Sequence, residues 1–358
     1  MPTSAVDAIS PALQLAKQRL FRPFRFGQWA RLALLGLATG EISSAGGCPS
    51  SSFHVPAPTT TGNASRGLLP LAGILKGMDH VHLAILITAL IVAGAILFLM
   101  FIYVNSISRF ILFECVLTGR CLLREGWEKW QPQGRRFFIW QLLLALVAVG
   151  GLVLLIGIPA GIAGLLGMTR HSAGHAVAAG LGMVLVVLVA MAYMLVFFAI
   201  IVLTKDFVVP QMALEPISAV EGWRRLLRMM KSEYGSYAGY LGMKLVLAIG
   251  AAFIFGIATA IVLLIALIPT GLLTIVLVFV FKGAGVTWNV YTITAAVIAG
   301  CFAFAGVFYV VAFVSAPGTV FFPAYSIYFF AARYPALNAV LYPGPPPLPP
   351  PLPEPATG

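Results

Sequence analysis

The residues of this sequence best suited to chemistry are its histidines, which fall in two short regions of an otherwise apolar chain. Neutral imidazole is the commonest transition-metal ligand, and two histidines four residues apart share one face of a helix. The metal candidates are the pair His171 and His175, with His80 and His82 flanking the start of an apolar segment. Because histidines in two separate loops need not meet, solvated loop histidines are the alternative interpretation, and we expect no resident metal or other cofactor.

Other catalytic signals are scarce. No phosphate-binding loop, zinc-protease helix or hydrolase nucleophile elbow stands in a usable context. The apolar segments hold almost no ionisable group, and the exception, Lys244, lies close enough to a helix end to extend its amine to the surface. Asp206 beside Lys205 looks like a charge pair at a helix end. We therefore expect no enzymatic activity, no catalytic residue and little capacity to move a charged solute through buried carboxylates.

Composition explains where such a chain can fold. It is 60% hydrophobic and 9% charged over 358 residues, whereas an ordinary soluble domain has about 25% charged residues. The net charge of +11 comes from basic blocks between apolar runs, which favours an anionic membrane face over a nucleic-acid groove. The expected partners are the lipid bilayer, its anionic headgroups and a membrane protein, with no nucleic acid. Cys115 and Cys121 fall in segments expected to be cytoplasmic, so we expect free thiols there.

Long apolar runs predict an all-α polytopic transmembrane bundle of about six spans, since a spanning helix needs about 20 apolar residues. The first run is short and contains an arginine, and we expect it to span rather than lie in the interface. A further ten-residue run, Leu272–Phe281, is either re-entrant or part of a seventh span. The predicted spans are 26–42, 81–107, 137–166, 176–204, 236–268 and 289–317.

The distribution of basic residues orients these spans. Lysines and arginines concentrate before and within the first span and in the segments after the second and fourth spans, and Arg333 lies at the C-terminal end, whereas the alternate loops hold few. Cytoplasmic loops carry such an excess, so we expect a multi-pass protein of the cell membrane with both termini cytoplasmic. The predicted regions are a cytoplasmic segment at 1–25, a transmembrane domain at 26–335, an outer loop at 43–80, elbows at 108–136 and 205–235, and a disordered Pro-rich tail at 336–358.

An internal repeat is predicted from two copies of Glu-Gly-Trp. The stretch "RFILFECVLTGRCLLREGW", ending at Trp127, aligns with "DFVVPQMALEPISAVEGW", ending at Trp223, with a slip of one residue. A third, partial copy occurs at "TVFFPAYSIYFF" (Thr319–Phe330). The unit is two membrane helices followed by an elbow, and the copies are parallel because both elbows are expected on one side.

Each elbow combines aromatic and basic residues in a pattern typical of a helix in the headgroup region. In the second elbow, Ser218 and Glu221 have capping-box spacing at the start of such a helix. We expect arginines to meet lipid phosphates, tryptophans to lie at the interface and the Glu-Gly-Trp glycines to permit close approach of another helix. The predicted lipid-interface residues are Trp127, Trp130, Arg120, Arg124, Trp223, Arg224, Arg225 and Arg228.

The plan resembles the integral-membrane domain associated with prokaryotic glycerophosphoryl diester phosphodiesterases and its stand-alone relatives of unknown function. The resemblance covers roughly residues 20–335 and rests on the Glu-Gly-Trp-Arg elbow after "DFVVP" and on the entry "PFRFGQWARLALLGL" (Pro23–Leu37). It implies an integral membrane module that acts as a partner or scaffold. The catalytic barrel of that family would be a separate soluble domain, for which this chain lacks the polar composition, so no activity is carried over.

The sequence as a whole favours a non-catalytic membrane scaffold or accessory subunit, with small residues such as Gly150, Gly161, Gly250 and Gly256 permitting close helix packing. The alternative is a transporter or permease for an apolar or zwitterionic small molecule, which the repeats and the Pro/Gly-interrupted helices at Pro159 and Pro269 would serve. A continuous polar cavity between the repeats would favour the transporter, and a well-packed bundle would favour the scaffold.

Overall fold

The computed structural model describes residues 4–21, 25–41, 80–165, 173–283 and 290–343, and every regular element within these ranges is helical. The expected all-α class is therefore confirmed. A π-helical turn, Thr204–Val208, follows α5 directly. The α-helices are α1 Ile9–Phe21, α2 Phe26–Thr39, α3 His80–Thr118, α4 Leu123–Leu165, α5 Ala173–Leu203, α6 Val209–Leu214, α7 Ala219–Ser232, α8 Tyr234–Gly283, α9 Val290–Ala331 and α10 Pro335–Leu341.

Five of these helices are long and apolar enough to cross a membrane, namely α3, α4, α5 with its continuation, α8 and α9. The sixth span predicted at 26–42 is not among them. Helix α2 ends after 14 residues, because Gly40 adopts the left-handed conformation with φ 70° and its N–H bonds the Leu37 carbonyl. Fourteen residues rise only about 21 Å, which is short of the roughly 30 Å hydrocarbon layer.

The apolar run Leu272–Phe281 is neither a re-entrant segment nor part of a seventh span, and both expectations for it are corrected. It continues α8, which runs without a break from Tyr234 to Gly283 and contains Pro269 in its interior. Proline removes one backbone hydrogen bond, but long apolar helices tolerate the loss when neighbouring residues keep their own bonds. At 50 residues, α8 extends about 75 Å, more than twice the hydrocarbon thickness.

The two predicted elbows have different structures. The first is a tight turn between α3 and α4, in which Gly119 has φ 75°, and α4 continues from Leu123 into its apolar stretch without a separate interfacial helix. The second elbow contains its own helix, α7, which the Ser218 side chain caps by accepting a hydrogen bond from the Glu221 N–H at 3.3 Å. That predicted cap is confirmed.

The packed core lies where α1, α2, α7 and α10 meet one end of each long helix. Its centre is aromatic: Phe207 contacts Tyr240 and Phe330, and Tyr240 stacks on Tyr325 with ring centroids 5.2 Å apart. The remaining length of the long helices is apolar and exposed, as a surface solvated by lipid would be. Leu337 of α10 is fully buried, so the tail predicted as disordered from 336 begins with a packed helix; residues 344–358 lie outside the described ranges.

A surface network fastens the second elbow to the C-terminal segment. Glu215 accepts hydrogen bonds from the Arg225 guanidinium at 2.6 Å and from the Tyr334 hydroxyl. These two bonds, that from Tyr334 first, hold the pKa of Glu215 below its ordinary value of 4.5. The charged carboxylate is thus favoured by the folded state.

This network predicts an acid-dependent loss of stability. Because the folded pKa of Glu215 is depressed, its contribution is present above pH 4.5 and is lost as pH falls through the folded pKa. Glu215→Gln should lower the unfolding temperature at pH 7, and the difference from wild type should shrink steadily below pH 4.5. Thermal unfolding of the detergent-solubilised protein across this range measures it, with the exposed Glu125→Gln as the matched control. A pH-independent difference would contradict the assignment.

Candidate functional site: a buried cluster of charges

Five charged residues gather inside the core, although the sequence scatters them over two hundred positions. We call Glu41, Arg109, Lys205, Asp206 and Lys244 the charge cluster. Glu41 follows the end of α2, Arg109 lies in α3, Lys205 and Asp206 occupy the π-helical turn after α5, and Lys244 lies in α8. Buried charges are stable only when they are paired and hydrogen-bonded, so their partners determine what the cluster can do.

The deepest pair joins α8 to the π-helical turn. The Lys244 ammonium donates to the Asp206 carboxylate, and the Tyr240 hydroxyl donates to the same Oδ2 at 2.9 Å. The Lys244 and Asp206 side chains are 8% and 3% exposed. Lys244 therefore does not extend to the surface, and that expectation is wrong: a carboxylate one helix away satisfies its charge internally.

The second pair joins the end of α2 to the same turn. Lys205 Nζ lies 2.7 Å from Glu41 Oε1 and 2.8 Å from Oε2, and the Glu41 side chain is 3% exposed. Lys205 and Asp206 are therefore partners of different residues, which corrects the expectation that they pair with each other. Successive residues of a helix point about 100° apart, so the turn directs one charge toward α2 and the next toward α8. Isolated π-helical turns are frequent at functional sites.

Arg109 connects the cluster to the backbone of α2. Its Nε donates to Asn105 Oδ1 at 2.9 Å and its Nη2 donates to the Thr39 carbonyl at 3.2 Å. The Asn105 amide in turn donates to the Ala38 carbonyl at 2.9 Å. The last four carbonyls of a helix have no N–H donor within the helix. The bonds from Asn105 and Arg109 therefore satisfy carbonyls at the end of α2 and hold Glu41 beside Lys205.

Four members of the charge cluster, Glu41, Arg109, Lys205 and Asp206, line a narrow cleft with a free volume of about 30 Å³. Residues that align with one another in the predicted copies meet in this cleft. Arg109 aligns with Asp206, Leu112 aligns with Val209, and Phe113, Pro210 and Pro323 align across all three copies. That space holds only about one or two water molecules, since a single water needs about 10–15 Å³ of such volume. The cluster is thus a set of interlocked ion pairs between four elements, with three cations against two anions.

The predicted metal ligands are not brought together in the part of the chain that the structure describes. His82 is exposed in the first turn of α3. His171 lies outside the described residues, as do the side chains of His80 and His175. Within the described ranges no three His, Cys, Asp or Glu side chains are grouped as a metal site would require. The four histidines therefore remain weak candidates on sequence alone.

The predicted lipid-interface residues divide into buried and exposed sets. Trp130 is 7% exposed, stacks on Phe110 with ring centroids 5.7 Å apart and donates its Nε1–H to Glu114. Its ring is therefore part of the protein core and does not face lipid. Trp127 and Trp223 are half-buried. The exposed arginines of this set are Arg120, Arg124, Arg224 and Arg228, while Arg225 is engaged with Glu215 and Glu221.

Both Glu-Gly-Trp glycines lie against the helix that precedes them, as the sequence predicts. A Cβ on Gly126 would lie 3.2 Å from Ile111 Cγ1, and a Cβ on Gly222 would lie 2.8 Å from Val208 Cγ1. Ile111 and Val208 occupy equivalent places in the alignment of the two elbows. The same type of residue therefore makes the same type of contact in both elbows.

Cys115 and Cys121 face each other across the α3–α4 turn, and their Cα atoms are 4.9 Å apart, which is close enough for a disulfide. The expectation of free thiols rested on the predicted compartment and stays a prediction. A separation of six residues around a turn at a left-handed glycine brings two Cα atoms within the usual disulfide range.

Exposed apolar helices around a core of paired charges define an α-helical, multi-pass membrane protein. The chain belongs to the family of unknown function DUF7544, which it matches over residues 3–340. No curated protein and no solved structure matches the chain. The resemblance to phosphodiesterase-associated membrane domains has no support from this membership and stays a prediction.

Proposed function

We propose that this chain is a non-catalytic scaffold or accessory subunit of the cell membrane, with both elbows on the cytoplasmic side. The observation that carries the proposal is the charge cluster, whose carboxylates are both engaged in ion pairs at the end of a packed core. Its cleft is too small for a solute larger than a few waters. Interlocked pairs of this kind hold four elements in one arrangement, which a rigid scaffold needs and a permease must repeatedly undo.

Small residues on the exposed helices support a role in helix packing. A Cβ at Gly150, Gly161, Gly250 or Gly256 would meet nothing within 4 Å, whereas Gly151 is already in contact with Tyr193 of α5. Surfaces of small residues allow another membrane helix to approach closely, and close packing drives helix association in lipid. The open glycines thus offer contact surfaces to a membrane-protein partner.

The elbows would meet anionic headgroups. Trp127 and Trp223 are half-buried, so each ring can pack on the core and reach an interface. The exposed Arg124, Arg224 and Arg228 are suited to lipid phosphates. Arg225 lies on the same helix as Arg224 and Arg228 and would also lie near the headgroups. The amphipathic character of α7, with Leu226 buried and Arg228 exposed, supports this orientation.

The internal repeat is part of the same proposal. The convergence of aligned residues on one cleft and the matched glycine contacts both follow if the three copies are structural equivalents. Such a repeat would place equivalent helix ends around one axis, with the charge cluster between them.

Transport remains the second candidate, because the cluster carries both signs of charge, as a zwitterionic solute would require. The helix interruptions that would serve it are not seen: Pro159 and Pro269 both lie inside continuous helices. Both carboxylates of the cluster are also already engaged in ion pairs. The scaffold is therefore the better-supported function.

Site-specific photo-crosslinking in native membranes tests the scaffold proposal. A photoreactive residue placed at Gly150 or Gly250, where the chain itself leaves open space, should give discrete adducts of protein mass. The same residue at Met191, which is 55% exposed and has only the large residues Val187, Leu188, Met194 and Leu195 three and four positions away on its helix, serves as the control and should give mainly lipid adducts. Lipid adducts alone at all three positions would refute the scaffold and favour a protein that works without a membrane partner.

A further inference from the structure

A second cleft, with a volume of about 410 Å³, lies between the start of α2 and the α3–α4 turn. We call it the arginine cleft, because three arginine residues line it. Its lining residues are Arg25, Gly27, Gln28, Arg31, Gly119, Arg120, Cys121 and Leu122.

The walls of the arginine cleft are held together by side chain–backbone bonds. Gln28 Nε2 donates to the Gly119 carbonyl at 3.1 Å, and Arg31 Nη1 donates to the Cys121 carbonyl at 3.0 Å. Arg19 donates to the Leu117 carbonyl at 2.7 Å just outside. The carbonyls of the turn are therefore occupied by donors, and the cleft is preorganised before any ligand enters.

The charge of the cleft is positive and uncompensated. No carboxylate is among its lining residues, and within the described ranges no ion pair is formed by Arg25, Arg31 or Arg120. The guanidinium groups of Arg25 and Arg120 belong to exposed residues with no hydrogen bond to the protein in those ranges. Three like charges facing one space repel one another unless an anion lies between them.

We propose that the arginine cleft binds a phosphate group, carried either by an anionic phospholipid or by a small soluble phosphate. This inference goes beyond the scaffold role and does not depend on it. The sequence signalled only general contact of Arg120 with lipid; Arg25 and Arg31 were not assigned a site.

Phosphate fits the cleft for stereochemical reasons. A guanidinium presents a planar fork of donors that binds two oxygens at once, and arginine is the preferred residue for such bidentate phosphate contacts. Gly27 contributes no side chain, and a Cβ there would meet nothing within 4 Å, so an oxyanion can approach the backbone. The first backbone bonds of α2 run from Gln28 and Trp29 to the Arg25 carbonyl, which leaves the positive end of the helix directed toward the same space.

Ligand-linked thermal unfolding of the full chain in neutral detergent tests the site, since a ligand that binds the folded state raises the unfolding temperature saturably. One arm adds phosphatidylglycerol, with phosphatidylcholine as the blank. The other adds inorganic phosphate at constant ionic strength, with chloride as the blank. The cleft variant is Arg25→Gln/Arg120→Gln, which spares Arg31 because its side chain holds the turn.

The matched control is Arg135→Gln/Arg136→Gln, which removes the same charge from exposed positions of α4. We expect saturable binding in wild type and control, and an affinity at least about tenfold weaker in the cleft variant, because two charge-assisted contacts are lost. Saturation with phosphatidylglycerol alone would assign the phosphate to lipid, and saturation with inorganic phosphate alone would assign it to a soluble ligand. Equal affinity in the cleft variant and wild type, or no saturable response in wild type, would overturn the proposal.

Discussion

Replacing Lys244 with methionine should destabilise the folded protein by about 3–5 kcal/mol, the usual consequence of removing one partner of a buried ion pair. The substitution is apolar and similar in length, so it creates little cavity. Its effect comes from Asp206, whose side chain is 3% exposed and would retain only the Tyr240 hydroxyl as a donor. Two measurements on the detergent-solubilised protein report the loss of stability. They are the thermal unfolding temperature and the fraction of the protein that elutes as a single species.

A double variant distinguishes the effect of leaving one buried charge unpaired from the effect of changing the side chain at position 244. Asp206→Asn/Lys244→Met removes both charges, and we expect it to recover most of the lost stability, because the neutral amide that replaces the Asp206 carboxylate can still accept the Tyr240 hydrogen bond. The control Lys231→Met, at an exposed position of α7, should change stability by less than about 0.5 kcal/mol. If Lys244→Met behaves like this control, the ion pair does not hold the core together.

The pair also shows where the sequence is informative and where it is not. Hydropathy finds the long helices correctly, since apolar runs must form their hydrogen bonds within one segment. It cannot find the partner of Lys244, because Asp206 is 38 residues away and only the packing of α8 against the turn after α5 brings them together. The sequence pattern therefore predicted that the Lys244 amine reaches the surface and that Asp206 pairs with its neighbour Lys205.

Helix ends were the other source of error. The length of α2 depends on the backbone conformation of Gly40 and on bonds from Asn105 and Arg109 to its last carbonyls. Both depend on a segment more than sixty residues away. The continuity of α8 through Pro269 depends equally on context, since a proline inside a helical pattern ordinarily ends or kinks the helix. Local signals located the capped start of α7 at Ser218, where all the required groups lie within four residues.

The Glu-Gly-Trp glycines are the one tertiary contact that the sequence predicted, because the motif occurs twice at the same place in the repeat. An equivalent residue precedes each glycine by nearly the same distance in the chain: Ile111 before Gly126 and Val208 before Gly222. Recurrence at a fixed interval implies a requirement of the fold, and close helix approach is what a glycine inside a helix provides at the cost of helix propensity.

Gly222→Ala should therefore lower stability by about 1–3 kcal/mol, the range for overpacking a tight contact. The new Cβ would lie 2.8 Å from Val208 Cγ1, so either α7 or the π-helical turn beside the charge cluster must move. The control Gly239→Ala, in α8 with nothing within 4 Å of its Cβ, should gain up to about 1 kcal/mol from helix propensity. The double variant Val208→Ala/Gly222→Ala removes the clashing methyl, and its loss should be smaller than the sum of the single losses. Thermal unfolding of wild type, the three single variants (Gly222→Ala, Val208→Ala and Gly239→Ala) and the double variant in one detergent measures these differences. If Gly222→Ala gains stability as Gly239→Ala does, the glycine is not a packing requirement, and the matched contact in the first elbow loses its significance.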